Sequence, residues 1–373
     1  MNAKPALVSV IVPAFNAASG IRQTLRSALA QTYRRIEVIV VDDGSTDETS
    51  AVVEEIAATD ARVRLLRQVN AGVGAARNTG ILAAHGHYIA PLDSDDEWSP
   101  RKIEAQVARL EQRGPAAGLS YCWSRLIDDE GRVLTWAPPR RLEGHLGTGM
   151  LAGNLIGNAS VPLFRTSALE KVGLYLTRAE QHGAQGCEDW DLHLRVAEKF
   201  QVACVPAYHV SYRQSHCGMS QNSLGMAASY ETVMRRALAR NPQLDRAVLA
   251  WSSERFHSYL ARKCYSWGDY RSTLRFMWRT FRADPIAYLN LQYYWFVLGS
   301  MIHLCTGGRF RRHPTPPPKQ PADPDFCAPP QLPAARNTWF NVLQERRLAA
   351  AIHPKKRLRT HSMSLNRSVG YLV

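Results

Sequence analysis

Two short acidic stretches hold the residues best able to do chemistry. The first is Asp93-Ser94-Asp95-Asp96-Glu97, a crowd of carboxylates between the apolar run "YIAPL" and the Ser99-Pro100 pair. Mutual repulsion makes such a cluster costly unless water, a cation or an array of donors balances it. In an extended loop, alternate residues face the same side, so Asp93 and Asp95 can converge on one cation. Hard carboxylate oxygens suit Mg2+ or Mn2+, whose other octahedral positions go to water and phosphate oxygens. A solvated acidic turn before a helix is the alternative, and the motif alone does not choose. The second stretch is "GCEDWDLHLRV". Trp190, Leu194 and Ala197 fall on one helical face, which puts Glu188 and Asp189 at the helix start. Taken alone, a Glu-Asp pair there complements the helix dipole, and any further role depends on its company.

Two more segments could touch a nucleotide. In "VDDGSTD", a carboxylate at a strand end (Asp42 or Asp43) can accept from a base imide N–H such as that of uracil. Guanine offers donors too, and both aspartates could equally flank a capped turn. In "NAGVGAARNTG", Gly72 and Gly74 begin a dinucleotide-like pattern, but Arg77 stands where its third glycine belongs. No G-x-x-x-x-G-K-[ST] loop occurs. Glycines opening a helix can still let a diphosphate approach its N-terminus, with Arg77 adding charge. Close packing of helix on sheet is the competing reason for them.

The elements that must position these residues alternate. "LVSVIV" (7–12), "IEVIVV" (36–41), "RVRLLRQ" (62–68) and "HYIAPLD" (87–93) read as buried strands. Helical spacing follows at 21–29, after the polar turn at 42–48, at 73–84, and from Ser99-Pro100 to about Arg113. Ser45 and Glu48, three apart, suggest a capping box. Alternating strands and helices indicate an α/β fold with an open, mostly parallel sheet, whose ligands sit beyond the strand C-termini. Beyond Ser120 the pattern loosens into short strands and turns.

Five blocks then stand in a telling order: "VSVIVPAFNA", "IEVIVVDDGSTDETS", "NAGVGAARNTG", "YIAPLDSDDEWSP" and "EDWDLHLRV". Each is weak alone, but in this order they resemble family 2 glycosyltransferases over roughly residues 7–200. The resemblance implies a GT-A fold, a nucleotide-diphosphate sugar donor, a divalent metal and inversion at the anomeric carbon. Carried over by position, Asp43 matches the base-contacting residue, and Pro13, Ala14 and Phe15 match the loop lining the nucleoside. Asp93 and Asp95 match the D-x-D motif, with Asp95 as the direct metal ligand. Asp189 matches the general base, and Glu188 sits beside the acceptor. "VSYRQSHCGMS" resembles the donor-closing loop Y-R-x-H-x-x-S-M-S. Here Ser215 replaces the usual histidine, Gly218 a serine, and His216 lies one place along.

That chemistry is coherent. Inversion is one displacement, so one base suffices, and metal neutralisation of the leaving diphosphate replaces a general acid. A base at a helix start is expected to stay ionised at neutral pH. Asp96 is expected to matter less than Asp95. Asp191 points about 200° away from Asp189 and should tolerate replacement. Two other functions remain open: a degenerate nucleotide-sugar-binding protein, and a sugar nucleotidyltransferase. The latter would need an N-terminal glycine-rich phosphate loop with a basic residue, absent from "VSVIVPAFNA".

The chain has 373 residues and a net charge of +14, which points to a phosphorylated, polyanionic or membrane-surface partner. No nucleic-acid-binding module is present, so none is expected as partner. The seven cysteines are scattered without a C-x-x-C pair, fitting reduced thiols in the cytoplasm. The N-terminal apolar run ends at Pro13 without a small-residue cleavage site, unlike a signal peptide. The nearest approach to a membrane span, 286–305, is interrupted by Asn290, Gln292 and His303. We therefore divide the chain into a catalytic domain (1–224), a C-terminal helical region (225–310) and a proline-rich linker with a basic tail (311–373). The tail is expected to be largely disordered. The helical region is expected either to attach peripherally to the cytoplasmic face of an anionic inner membrane or to pack on the catalytic domain. The expected acceptor is a glycan or a lipid-linked glycan in surface-polysaccharide assembly.

Overall fold

Strands β1 (Val8–Ala14), β2 (Ile36–Asp42), β3 (Val63–Arg67) and β4 (Tyr88–Pro91) run parallel, in the spatial order β3-β2-β1-β4. The structure is a computed structural model and describes residues 5–214, 222–285 and 291–306. β1 is buried along its whole length and β2 nearly so. This is why both read as unbroken Val/Ile runs: strands covered on both faces lose the usual alternation. Helices α1 (Ile21–Leu29), α2 (Thr49–Thr59) and α3 (Val73–Leu82) make the crossovers. A Cβ on Gly80 would lie 2.5 Å from Ile11 Cγ2, so α3 rests on β1 more closely than any side chain would allow. The strand order reverses between β1 and β4. Such a switch point opens a crevice beyond the strand C-termini, where Pro13–Phe15 and Asp93–Asp95 follow their strands.

The second half of the sheet is mixed. β8 (Leu163–Arg165) lies antiparallel between β4 and β6 (Ala117–Ile127). β9 (Gln201–Arg213) runs parallel to β6, while β7 (Val133–Trp136) pairs with β6 and β5 (Glu97–Trp98) with β9. Helices α4 (Lys102–Arg113), α5 (Gly147–Ala152), α6 (Thr166–Val172) and α7 (Glu188–Lys199) complete this half. The expectation of only short strands beyond Ser120 is corrected here: β6 and β9 have 11 and 13 residues. Register shifts at Ala117/Leu119, Tyr121/Trp123 and Trp123/Ser124 interrupt their pairing and blur the two-residue period. The capping box is corrected too. α2 begins at Thr49, Asp47 Oδ1 accepts from the Thr49 backbone N–H (3.0 Å), and Ser45 Oγ instead accepts from Asn16 N–H (2.9 Å).

Helices α8 (Ser223–Arg240), α9 (Arg246–Ser266), α10 (Tyr270–Ala283) and α11 (Gln292–Cys305) follow. Asn222, Asp245 and Asp269 cap the first three through side chains that accept from backbone N–H groups. The division after residue 224 falls inside a continuous core: Trp190 of α7 lies 5.5 Å from Tyr230 and 5.8 Å from Phe256. Among the described residues, no helix is long and apolar enough to cross a membrane. The proline-rich linker and basic tail lie outside the described residues.

Candidate active site

The acidic turn after β4 is held from both sides. Asp96 is fully buried, and its carboxylate accepts from Ser160 Oγ (2.5 Å), Asn158 Nδ2 (3.1 Å) and the backbone N–H of Arg213 (2.9 Å). Arg213, ending β9, donates to the Asp95 carbonyl (3.0 Å), to Glu97 Oε1 (2.5 Å) and to the Asp128 and Asp129 carbonyls (2.7 and 2.9 Å). From α1, Thr24 Oγ1 donates to the Ser94 carbonyl (2.9 Å). With the backbone fixed in this way, Asp93 and Asp95 remain half-buried at the crevice. Burial, then Asp93, pushes the Asp95 carboxyl up to about 6 despite Arg213 and Arg77. Asp96 is raised well above the usual range, chiefly by burial.

Arg77 ties this turn to the acidic helix. Its side chain is 3% exposed, and its guanidinium donates to Asp93 Oδ1 (2.6 Å) and Glu188 Oε1 (3.0 Å), with the Tyr175 ring 5.1 Å away. Burial works against its charge, but Asp93 and Glu188 outweigh it and raise its pKa. Both outer nitrogens of Arg77, expected to add charge at the donor diphosphate, pair here with carboxylates inside the protein. Gly74, three residues earlier, serves packing. A Cβ there would meet the Leu176 carbonyl oxygen at 2.2 Å.

At the start of α7 the two acids part company. Glu188, expected beside the acceptor, turns inward and is buried, accepting from Arg77 (3.0 Å) and from the Gly186 N–H (2.8 Å). Asp189 stays half-buried, and among the described residues its one hydrogen bond comes from Trp190 N–H (2.6 Å). Burial, then the Glu188 charge, pushes its carboxyl up to about 7, against Arg77 and that backbone donor. Burial and the neighbouring carboxylate thus oppose the helix start, expected to keep this base ionised at neutral pH. One turn on, His193 is buried, and its imidazole is pushed down to about 3, by burial and then by Arg77, so it stays neutral. Asp191 is no bland control. It is buried, accepts from Arg195 Nε (2.7 Å), and Arg195 in turn reaches the carbonyls of Val172 (2.6 Å) and Leu174 (2.5 Å). Turning 200° from Asp189 leads into the core.

On the other side of the crevice, Pro13 and Ala14 are buried at the end of β1, whereas Phe15 is 50% exposed. Asn16 takes a left-handed conformation (φ 48°), and its side chain accepts from Thr46 N–H (2.8 Å), fixing the loop that carries Phe15. Asp43 accepts from Gln68 Nε2 (2.7 Å), Ala71 N–H (2.8 Å) and Gly72 N–H (2.8 Å). It therefore organises the loop before α3. A carboxylate has about four acceptor positions, which leaves one for a ligand. Gly72 needs its positive φ (91°) there.

Among the described residues, Asp93, Asp95, Asp96, Glu188 and Asp189 gather around Arg77 and Arg213, an excess of carboxyl groups over cations that, after burial, raises the pKa of Asp95, Asp96 and Asp189. That excess and its hard oxygen donors fit a divalent cation such as Mg2+ or Mn2+. Among the described residues, no group of three or more His, Cys, Asp or Glu could hold a metal ion unaided. Asp93 and Asp95 would supply part of the shell and leave the rest to phosphate and water, as suits an ion that keeps several waters. Sequence reasoning missed Asp96, Asn158, Ser160 and Arg213 as the frame of the turn. Their pairings with the turn span 62 to 118 residues along the chain, and no local pattern carries such pairings. Ser215, His216 and Gly218 of the expected closing loop lie outside the described residues.

A reversing α/β sheet with carboxylates at its switch point is the frame of the GT-A class of glycosyltransferases, and solved structures agree. Residues 1–349 of Staphylococcus aureus TarS, in complex with UDP-GlcNAc, superpose with a TM-score of 0.57 at 16% identity, covering 82% of this chain and 93% of that one. The mannosyltransferase PcManGT from Pyrobaculum calidifontis, in complex with GDP-Man and Mn2+, gives 0.52 at 18% identity, covering 83% and 88%. Residues 9–172 match the family model for Glycosyl transferase family 2. An uncharacterised glycosyltransferase of Rickettsia prowazekii (strain Madrid E) is 30% identical over 262 residues, 68% of this chain and 79% of the relative. Chondroitin synthase of Escherichia coli is 38% identical over 129 residues, 35% of this chain but 19% of that protein. The chain belongs to glycosyltransferase family 2.

Proposed function

We propose that this glycosyltransferase is metal-dependent and inverting, and moves a sugar from a nucleotide-diphosphate donor to a hydroxyl of a glycan or lipid-linked acceptor. We assign it to surface-polysaccharide assembly on the cytoplasmic side of the membrane. The observation that carries the reading is Asp189: half-buried, raised to about 7, and linked through Glu188 and Arg77 to the Asp93–Asp95 turn. A carboxylate with a pKa near the working pH suits general-base catalysis. Asp189 would take the acceptor's hydroxyl proton as that oxygen bonds to the anomeric carbon and the bond to the diphosphate breaks on the opposite face. The exposed ring of Phe15 would flank the nucleoside, and the remaining acceptor position of Asp43 would meet a base N–H. Asp95 and Asp93 would hold Mg2+ or Mn2+, whose charge stabilises the leaving diphosphate. The nucleotide sugars bound by TarS and PcManGT support the donor class, and the Mn2+ of PcManGT supports the metal.

The test is a panel of uridine, guanosine and thymidine diphosphate sugars, assayed for nucleoside diphosphate release with Mg2+, with Mn2+ and with EDTA. Release from at least one donor, abolished by EDTA, is expected. Tight donor binding without release would make the chain a donor-binding protein. Synthesis of a nucleotide sugar from a nucleoside triphosphate and a sugar phosphate would make it a nucleotidyltransferase. Activity that survives EDTA would overturn the metal assignment.

A further inference from the structure

Helix α11 is apolar on both its faces. Its inner side packs on α9: Phe296 lies 5.2 Å from the Tyr265 ring, and Tyr293 Oη donates to Glu254 Oε1 (2.7 Å). Leu291, Trp295, Leu298 and Ile302 recur every three or four residues, with Met301 alongside, and all are exposed: Leu291 by 75%, Trp295 by 73% and Ile302 by 45%. A surface helix normally turns charge to water on its outer side. This one turns tryptophan, leucine and isoleucine.

The neighbouring helix supplies the charge. On α10, which packs against α11, Arg271, Arg275, Trp278 and Arg282 form a single exposed row at helical spacing. Among the described residues none of these three arginines has an ion-pair partner, whereas Arg279 of the same helix pairs with Glu231 (2.9 Å). The sequence directly after α11 adds Arg309, Arg311 and Arg312. An apolar stripe bordered by cations and tryptophan complements the surface of an anionic bilayer. At 14 residues α11 is about 21 Å long, short of the roughly 30 Å hydrocarbon core, so it suits lying in the interface.

We propose that the outer face of α11, together with the cationic row of α10, docks on an anionic lipid surface with α11 in the plane of the interface. The charge pattern argues against the chain's own tail as the cover, because Arg309, Arg311 and Arg312 carry the same sign as the α10 row. The proposal goes beyond the catalytic reading and stands without it: vesicle binding needs neither donor nor turnover.

The experiment is flotation of the full-length protein with pure phosphatidylcholine vesicles and with vesicles containing phosphatidylglycerol, at low and high salt. We expect binding to the anionic vesicles only, weakened by salt as screening shortens the Debye length from about 30 Å at 0.01 M to about 3 Å at 1 M. Trp295→Ser with Leu298→Ser should lower partitioning by about tenfold or more, because each removes a large apolar side chain from the interface. Arg271→Gln with Arg275→Gln should weaken binding mainly at low salt. Both double variants should keep wild-type melting and donor turnover in vesicle-free solution, which separates lost docking from lost fold. Absence of binding to anionic vesicles at low salt overturns the proposal. So does unchanged binding in the Trp295/Leu298 variant, which would assign attachment to the basic tail. A chain that instead dimerises through α11, losing the dimer in that variant, also overturns it.

Discussion

Replacing Arg77 by Met should be the most damaging single change at the candidate site. The guanidinium is almost wholly buried and bridges Asp93 at 2.6 Å and Glu188 at 3.0 Å. At about 3 Å and an effective dielectric near 20, each pair is worth roughly 5 kcal/mol before desolvation is charged against it. The net loss on stranding a buried partner is about 3–5 kcal/mol. Asp93, with a quarter of its side chain exposed, can recover some hydration, but Glu188, at 6%, cannot. Arg77→Met should therefore lower the unfolding midpoint by roughly 10 °C. Arg77→Lys should rescue little, since one ammonium cannot fork between two carboxylates. Adding Glu188→Gln to Arg77→Met removes the stranded charge and should restore about 1–2 kcal/mol. Urea and thermal unfolding of the two single variants and the double variant measure these values. If Arg77→Met melts within about 0.5 kcal/mol of wild type, or if the two changes simply add, the bridge is not what holds the helix to the turn.

Three further predictions concern its surroundings. Asp96→Asn leaves one acceptor oxygen where a carboxylate serves three donors, so it should cost about 1–3 kcal/mol and loosen the turn enough to lower turnover. Wild-type melting and kinetics in that variant would return Asp96 to the minor role its sequence position suggests. Asp189 is held above its unfolded value of about 3.9, so folding favours its protonated form, and that stabilisation is lost progressively as pH rises from about 4 to about 7. Asp189→Asn should accordingly gain on wild type as pH rises, with a melting advantage clearly larger at pH 8 than at pH 5; an equal difference at both pH values means the carboxyl is not raised. Gly74→Ala should destabilise by about 1–3 kcal/mol, because its Cβ would press on the Leu176 carbonyl at 2.2 Å, and a neutral result in urea unfolding would show that this contact yields.

The parallel half of the sheet could be read directly from the chain. Buried β-branched runs at 8–12 and 36–41, each followed by a helix, left few other folds, and their ends located the crevice. The individual roles at the crevice were harder. Asp93 and Asp95 are both half-buried at the crevice, but Glu188 and Arg77 look alike as "available" charges in sequence and are partners in space, 111 residues apart. A one-dimensional pattern cannot show that two opposite charges cancel each other. Asp191 illustrates the same limit. Helical geometry gave its direction correctly, yet only the packing of Arg195 against residues 172–174 shows that this direction is inward. β6 was hidden by its polar and aromatic residues and its register shifts, and Arg213 by its distance from the turn it clamps.

The central claim, a transferase whose base is Asp189, is tested most directly by one comparison of wild type with Asp189→Asn. The donor is the one identified by diphosphate release, and both donor affinity and acceptor-dependent transfer are measured. Removing the base leaves the nucleotide loop, Asp43 and the Asp93–Asp95 turn intact. Donor affinity should therefore stay within about threefold of wild type while transfer falls by about 100-fold or more. A variant that transfers sugar at the wild-type rate, or that loses donor binding in proportion to its activity, would contradict the account.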